Sequence, residues 1–434
     1  LLTLNYVHAF KAGQLSRLHR EFEARFCQEQ LQDGGGYTNS TDPERRLRIG
    51  YVTPDLRAHA VVFFIAPVLM HHDRSRFEIF AYYNHSKKDK FTSNLQQCCH
   101  YWRDIAGLDD EETARQIRKD GVDILIDLAG HSAHNCLLAF ARKPAPVQVT
   151  WLGYPNTTGL STIDYRLTDA LTDPEVSDEQ YYTESLYRLP ESFLCYSPLL
   201  RSPDLSPSPA KKNGYVTYAS LNNFSKVNPE TVMSWVRLLK ETPRSRLVLL
   251  FNGGSKTWLD NAVKEARTCS EIPFSSIRAM GNLLYAKKAF EDNGIPSERI
   301  TILGRSPNHA AHLQHYRNID IALDPFPYNG TTTTFESFWM GAPVISLEGN
   351  RHAARVSASI SRNLGLEELV GDNVDAYIDA ARQVAMDRRK LASLRVSLRN
   401  IMSSSCVMAA EKFTRNLESA YRIMWKNWCL KQGD

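Results

Sequence analysis

A rhythm of short apolar runs separated by polar, helix-favouring stretches occurs twice in this chain, and it constrains the fold more than any other feature. In the first half the runs are 47–52, 77–83, 123–128 and 147–152, with segments such as 110–119 between them. Strands alternating with helices predict a parallel sheet covered on both faces. The rhythm stops at 197–213, a stretch with four prolines and several serines. It restarts at 215–218 and continues through 246–251, 300–303, 320–323 and 343–347, with helices expected over 229–239, 255–268 and 333–340.

The ends read differently. Leu15, Leu18, Phe22 and Phe26 recur at helical spacing, and a Gly-rich, polar break runs from 32 to 43. Phe413, Leu417, Tyr421, Met424 and Trp428 share one face of a closing helix. The expected organisation is a helical segment and linker over 1–46, an α/β half over 47–200, a linker over 201–213, a second half over 214–390 and terminal helices over 391–434. Each half is expected to be Rossmann-like and doubly wound. Ligands of such sheets bind outside the carboxyl ends of the strands, so the expected site is a cleft between the halves.

Bulk properties exclude several classes. A length of 434 residues suits two or three domains. A net charge of +4 is too small for a nucleic-acid binder of this size. The paired cations Arg45–Arg46 and the basic run 388–390 read as solvated flanks. Eight scattered cysteines form no C-x-x-C pair and no zinc spacing, the pattern of reduced thiols in a cytosolic protein. No apolar run approaches a membrane span and no signal peptide is visible, so the expectation is a cytoplasmic protein, nucleocytoplasmic if eukaryotic. The chain begins with Leu, which suggests a fragment.

The chemistry concentrates at 320–341. A strand ends near Asp324, two prolines turn the chain, Asn329-Gly330 permits positive φ, and Thr331, Thr332, Thr333 and Thr334 open a helix. A helix N-terminus presents unpaired N–H groups and partial positive charge, which suits phosphate. Capping alone needs one threonine, not four. Glu336, further into that helix, is placed to reach a ribose hydroxyl. Lys226, in the sequence Leu-Asn-Asn-Phe-Ser-Lys, follows the first strand of the second half and is suited to a departing diphosphate; a solvated lysine is the competing reading.

The first half offers a second Gly/Thr-rich turn, Gly153 to Gly159. His59 follows its first strand, within the pKa range for proton transfer. Gly130-His-Ser-Ala-His134 nearly matches a nucleophile elbow, but His134 is bulky where that turn wants glycine. His309, His312 and His315 fall at three-residue spacing without an acidic partner in a recognisable metal pattern. No metal and no cofactor are expected.

These motifs together resemble the catalytic region of O-linked N-acetylglucosamine transferases and the related plant Spindly-type protein O-fucosyltransferases. The matching pieces are 47–55, 144–159, 221–226, 324–341 and 421–425. The resemblance implies a GT-B fold and an inverting, metal-independent transfer to Ser or Thr hydroxyls of a protein, with tetratricopeptide repeats upstream. It implies donor contacts by Lys226, Asn223, His312, Thr332, Thr333 and Glu336, with Gly153 and Pro155 as pocket wall. His59 matches a family histidine assigned to proton transfer or positioning. Animal members carry a histidine where Thr331 stands, a lysine near the place of His309 and an aspartate in place of Glu336. UDP-GlcNAc is the first-choice donor and GDP-fucose the alternative. A sugar-nucleotide epimerase using Asp55, Asp127 or Asp324, and a non-catalytic binding module, are the rival classes.

Overall fold

The computed structural model describes residues 1–29, 36–174, 179–198, 202–251 and 274–432. The expected helix over 255–268 and residues 32–35 of the expected break lie outside the described residues. The chain divides into two compact units: Leu1–Leu2, Phe10–Leu199 and Cys406–Asp434 form one, Thr3–Ala9 and Leu200–Ser405 the other.

Among the described residues the first unit is built on seven parallel strands: β1 (Leu47–Thr53), β2 (Phe77–Tyr83), β3 (Tyr101–Asp104), β4 (Ile124–Asp127), β5 (Val147–Thr150), β6 (Tyr165–Asp169) and β7 (Ser185–Leu189). Their order is β3-β2-β1-β4-β5-β6-β7. The central strands are the ones expected, because residues buried on both faces read as continuous apolar runs. Three further strands were not expected. β3 and β7 are sheet edges, and β6 carries Arg166, which is buried because it donates to the carbonyls of Tyr154 (2.9 Å) and Asn156 (2.7 Å).

Two helices close this unit. Ala410–Gln432 buries Phe413, Leu417, Tyr421 and Met424, as its spacing predicts; the fifth buried member is Trp425, on which the half-buried Trp428 stacks. Ala12–Phe26 departs from the expected face. Its buried residues are Leu15, Ser16 and His19, while Phe26 is 59% exposed. The stripe is shifted because His19 bonds at both ring nitrogens, to Leu15 O (2.7 Å) and Tyr154 Oη (2.6 Å), and so goes inside as a satisfied polar group. Arg45 is likewise no simple solvated flank: its guanidinium donates to the fully buried carboxylate of Asp123.

Among the described residues the second unit has six parallel strands: β8 (Val216–Ser220), β9 (Ser245–Leu250), β10 (Ile300–Leu303), β11 (Ile321–Leu323), β12 (Val344–Leu347) and β13 (Val370–Gly371). Their order, β10-β9-β8-β11-β12-β13, repeats the first six places of the other sheet. β13, only two residues long, was not expected. Helices Pro229–Glu241 and Thr332–Trp339 form within a few residues of their expected spans. A long helix, Phe274–Asp292, adds to them.

Candidate functional site

In the second sheet the chain leaves β8 toward β9 on one side, while β11 lies on the other. This reversal opens a crevice at the carboxyl ends of β8 and β11, the place where doubly wound sheets bind ligands. A small pocket opens there, with Leu221, Asn222, Asp324, Thr333 and Thr334 in its lining.

Two turns furnish it. After β8, the Asn223 side chain caps a single turn, Phe224–Lys226, by accepting from Ser225 N at 3.0 Å. That turn delivers Lys226, whose Nζ donates to Asn329 O (2.7 Å) and sits 4.3 Å from the centre of the Tyr328 ring. After β11, Asp324 is buried and folds the loop back on itself. Its Oδ1 accepts from Gly330 N (2.8 Å) and Asn222 Nδ2 (3.2 Å). Asn222 Oδ1 in turn accepts from Thr333 Oγ1 at 2.9 Å, tying the two turns together.

Gly330 is required here for a reason other than the expected one. Its φ is not positive. A Cβ would instead stand 2.6 to 2.8 Å from Thr334 Oγ1, Thr333 Oγ1 and Asp324 Oδ1, so the residue is glycine for lack of room.

The four threonines divide their work. Thr334 is buried and bonds Ser357 Oγ at 2.9 Å. Thr333 holds Asn222. Thr331 occupies the N-cap position but makes no capping bond with its side chain. The hydroxyls of Thr331 and Thr332 and the amides of Thr332 and Thr333 have no partner among the described residues. An uncapped N-terminus of an eight-residue helix, with two free hydroxyls beside it, is an anion-binding arrangement.

Lys226 and Asp324 set the local charge. Burial lowers the Lys226 pKa to about 8, with Asp324 acting in the opposite sense. Burial raises Asp324 to about 6, against its hydrogen bonds and the nearby lysine. Lys226 therefore stays largely cationic at neutral pH, in a setting that desolvates its charge and strengthens its attraction for an anion.

One turn further along the same helix, Glu336 is 3% exposed and accepts from two histidines. His309 Nε2 lies 2.7 Å from one carboxylate oxygen and His312 Nε2 3.2 Å from the other. Burial works to raise the Glu336 pKa, but the two imidazoles hold it below its ordinary value. The third histidine diverges, with His315 Nε2 facing Ser306 Oγ at 3.0 Å. Among the described residues no group of three or more His, Cys, Asp or Glu is arranged to hold a metal ion.

The first unit has the equivalent switch point, between β1 and β4. Its strand-end carboxylate, Asp127, accepts from Ala129 N, Gly130 N and Thr150 Oγ1 at 2.8 to 3.0 Å. His59 lies on the loop after β1, its Nδ1 3.4 Å from Asp55 Oδ2, with its side chain 40% exposed. Burial lowers its pKa and Asp55 opposes. After β5, Leu152 takes φ of 75° and Gly153 N bonds back to Trp151 O, so Gly153 passes close under the neighbouring strand; a Cβ there would stand 1.9 Å from Leu128 O. Pro155 is half-buried beyond it. Thr157 and Thr158 of this turn are committed to Glu184, which accepts from both hydroxyls. Gly130–His134 is not a nucleophile elbow: the next helix begins only at Leu137, and His131 Nε2 is bound to Thr158 O at 2.6 Å.

The structure thus gathers Lys226, Thr331, Thr332, Thr333 and Glu336 with its two histidines on one unit. Gly153, Pro155 and His59 lie on the other. Asn222 and Tyr328 carry no assigned role in the sequence reading, and Gly330 is needed for room rather than for positive φ. The sequence signal for Asn222 was its place directly after a strand, one residue before the asparagine that was singled out.

Two sheets of Rossmann-like strand order, with an anion-suited helix N-terminus at the switch point of one, match the GT-B fold of glycosyltransferases. The chain belongs to glycosyl transferase family 41, whose profile matches residues 31–197 and 276–417. It is 41% identical over 433 residues to a probable UDP-N-acetylglucosamine–peptide N-acetylglucosaminyltransferase SPINDLY of Solanum lycopersicum, covering 99% of this chain and 44% of that protein. The corresponding Arabidopsis thaliana protein is 39% identical over 99% of this chain and 45% of its own length. The chain therefore spans less than half the length of these relatives. Among solved structures, a lysine-to-methionine mutant of Thermobaculum terrenum O-GlcNAc transferase superposes with a TM-score of 0.86 at 36% identity, covering 99% of this chain and 77% of that one.

Proposed function

We propose that this chain is the catalytic portion of an inverting, metal-independent protein O-glycosyltransferase that moves N-acetylglucosamine from UDP-GlcNAc to Ser or Thr hydroxyls. The observation that carries this is the β8–β11 crevice, where a desolvated lysine and an uncapped helix N-terminus meet. The chemistry asks for that pair. An acceptor hydroxyl attacks the anomeric carbon, the C–O bond to the diphosphate breaks through an oxocarbenium-like transition state, and negative charge grows on the leaving phosphate. Lys226 and the amides of Thr332 and Thr333 are fixed where that charge develops, so they stabilise it without reorganising. Neutralisation by lysine and helix dipole takes the place that a divalent cation fills in other transferases.

Glu336 is the ribose contact in this reading, and His309 and His312 fix its orientation. His59 serves the acceptor side, moving or positioning the hydroxyl proton. The names of the relatives, peptide N-acetylglucosaminyltransferases, support a protein acceptor and the UDP-GlcNAc donor. GDP-fucose is the second reading, motivated by the resemblance of the 326–334 turn to Spindly-type protein O-fucosyltransferases. An epimerase is disfavoured because Asp127 is consumed by structural hydrogen bonds.

Incubating the protein with each donor and an acceptor protein, then weighing the acceptor, separates these readings. A hexosamine added from UDP-GlcNAc, unaffected by chelator, is the expected result. A deoxyhexose added only from GDP-fucose assigns the second donor. An altered sugar nucleotide with an unmodified acceptor defeats the transferase proposal.

A further inference from the structure

The segment Thr3–Ala9 packs in the second unit although nearly 200 residues separate it from the rest of that unit. It is held at several points around Tyr6, which is 7% exposed. Arg351 Nη2, on a side chain that is itself buried, donates to Asn5 O at 3.0 Å and Val7 O at 3.3 Å, gripping the backbone on both sides of the tyrosine. Arg278 bridges Tyr6 O (3.2 Å) and Ser225 O (3.0 Å), the residue before Lys226. The Tyr6 ring meets Tyr328 in a T-shaped contact, centroids 5.0 Å apart, and the Tyr328 face lies under Lys226 Nζ at 4.3 Å.

We propose that Tyr6 is a positioning residue for Lys226, acting through Tyr328. This rests on the reading of Lys226 as the cation that meets the donor diphosphate. The seat of the ammonium has three parts: the Tyr328 ring, the Asn329 carbonyl and the charge of Asp324. The carbonyl and the carboxylate are fixed by their own loop. The ring is braced from outside, and Tyr6 is the brace. A T-shaped partner fixes the plane of the ring beneath the lysine, and an aromatic face holds a cation only in a defined orientation. The charged groups around Lys226 are Asp324 at the end of β11 and Arg278 on the helix Phe274–Asp292 packed against its turn; Glu230, beyond that turn, is paired with His8. The segment Thr3–Ala9 is thereby made part of the donor site.

The test uses the full chain and follows the titration of Lys226 by NMR of its labelled ε-position, together with donor kinetics and calorimetric titration of UDP and GDP. Tyr6→Ala is expected to move the Lys226 titration downward from about 8, because loosening the Tyr328 face weakens a contact made only to the charged form. Donor KM should rise roughly three- to tenfold, the scale of one lost aromatic pair, while kcat changes less. Tyr6→Phe keeps the ring and restores both readouts; Tyr6→Leu fills the space without a ring edge and stands in for Tyr6→Ala should that variant not fold. A lowered melting temperature with an unmoved Lys226 titration and wild-type KM makes Tyr6 mere packing and overturns the proposal. Wild-type UDP and GDP binding by Lys226→Met defeats the diphosphate reading instead, and leaves the titration to judge Tyr6 separately.

Discussion

The two units share a strand order but furnish their switch points oppositely. Asp127 and Asp324 stand in equivalent places, each at the end of the fourth strand in the shared order. In the first unit the carboxylate takes up the amides of its own turn, Ala129 N and Gly130 N, and a threonine as well. In the second it takes one amide, Gly330 N, and the Asn222 side chain, leaving the following helix N-terminus open. The second unit adds a lysine at the end of its first strand, where the first unit places Asp55 and His59. One topology thus yields a turn that satisfies itself and a turn with donors to spare. Only the latter is suited to a dianionic ligand, and the difference lies in a few strand-end residues rather than in the sheet.

The sharpest way to break this contrast is to remove the cation. Lys226→Met should lower transfer by about 100-fold or more, the scale of a lost transition-state charge contact, with a circular dichroism spectrum and melting temperature near wild type. Activity within a few-fold of wild type would mean that the helix N-terminus suffices and the lysine does not define the site.

Gly330→Ala tests the other arm. Three side-chain oxygens stand within 2.8 Å of the added carbon: Thr333 Oγ1 and Asp324 Oδ1 belong to the network that joins the turns, and Thr334 Oγ1 is bound to Ser357. Thr333 must release Asn222 or the loop must shift, so UDP binding measured by calorimetry should weaken by about tenfold or more, the cost of forcing an extra carbon into a packed site. The matched change in the first unit is Asp127→Asn, which puts an NH2 group where Oδ2 accepts from Thr150 Oγ1 and Gly130 N. It should cost about 2 kcal/mol of stability, seen as a lowered denaturant midpoint, and leave UDP affinity unchanged. Loss of UDP affinity there would place a nucleotide contact on the first unit.

The sequence made some of this legible for physical reasons. β1, β2, β4 and β5 are buried on both faces, so their apolar runs stand out; β3 and β7 are edges, and β6 hides an arginine that only tertiary carbonyls can satisfy. Four consecutive threonines advertised an anion site, but their division of labour depends on Asn222 and Ser357, which are remote in sequence. The spacing of His309, His312 and His315 placed them on one helical stretch, yet the first two converge only because Glu336 arrives from another helix, 27 residues from His309. Tyr6 gave no local signal at all, since its partner is defined by a contact across more than 300 positions of the chain.

The smallest effect separates the units by titration. If Lys226 supplies the charge, kcat/KM for the donor must follow the protonation of the free enzyme. The lysine is cationic below about 8 and loses its proton as pH rises through that value. Activity should therefore be flat near pH 7 and fall about tenfold for each unit well above the pKa. A bound diphosphate favours the charged lysine, so the limb in kcat should lie at higher pH than the limb in kcat/KM. His59 cannot produce this limb, because burial lowers its pKa below the usual imidazole value. Lys226→Arg decides the origin: guanidinium does not deprotonate in this range, so residual activity should persist without an alkaline limb. An unmoved limb in that variant would assign the titration to another group and remove the electrostatic distinction between the two switch points.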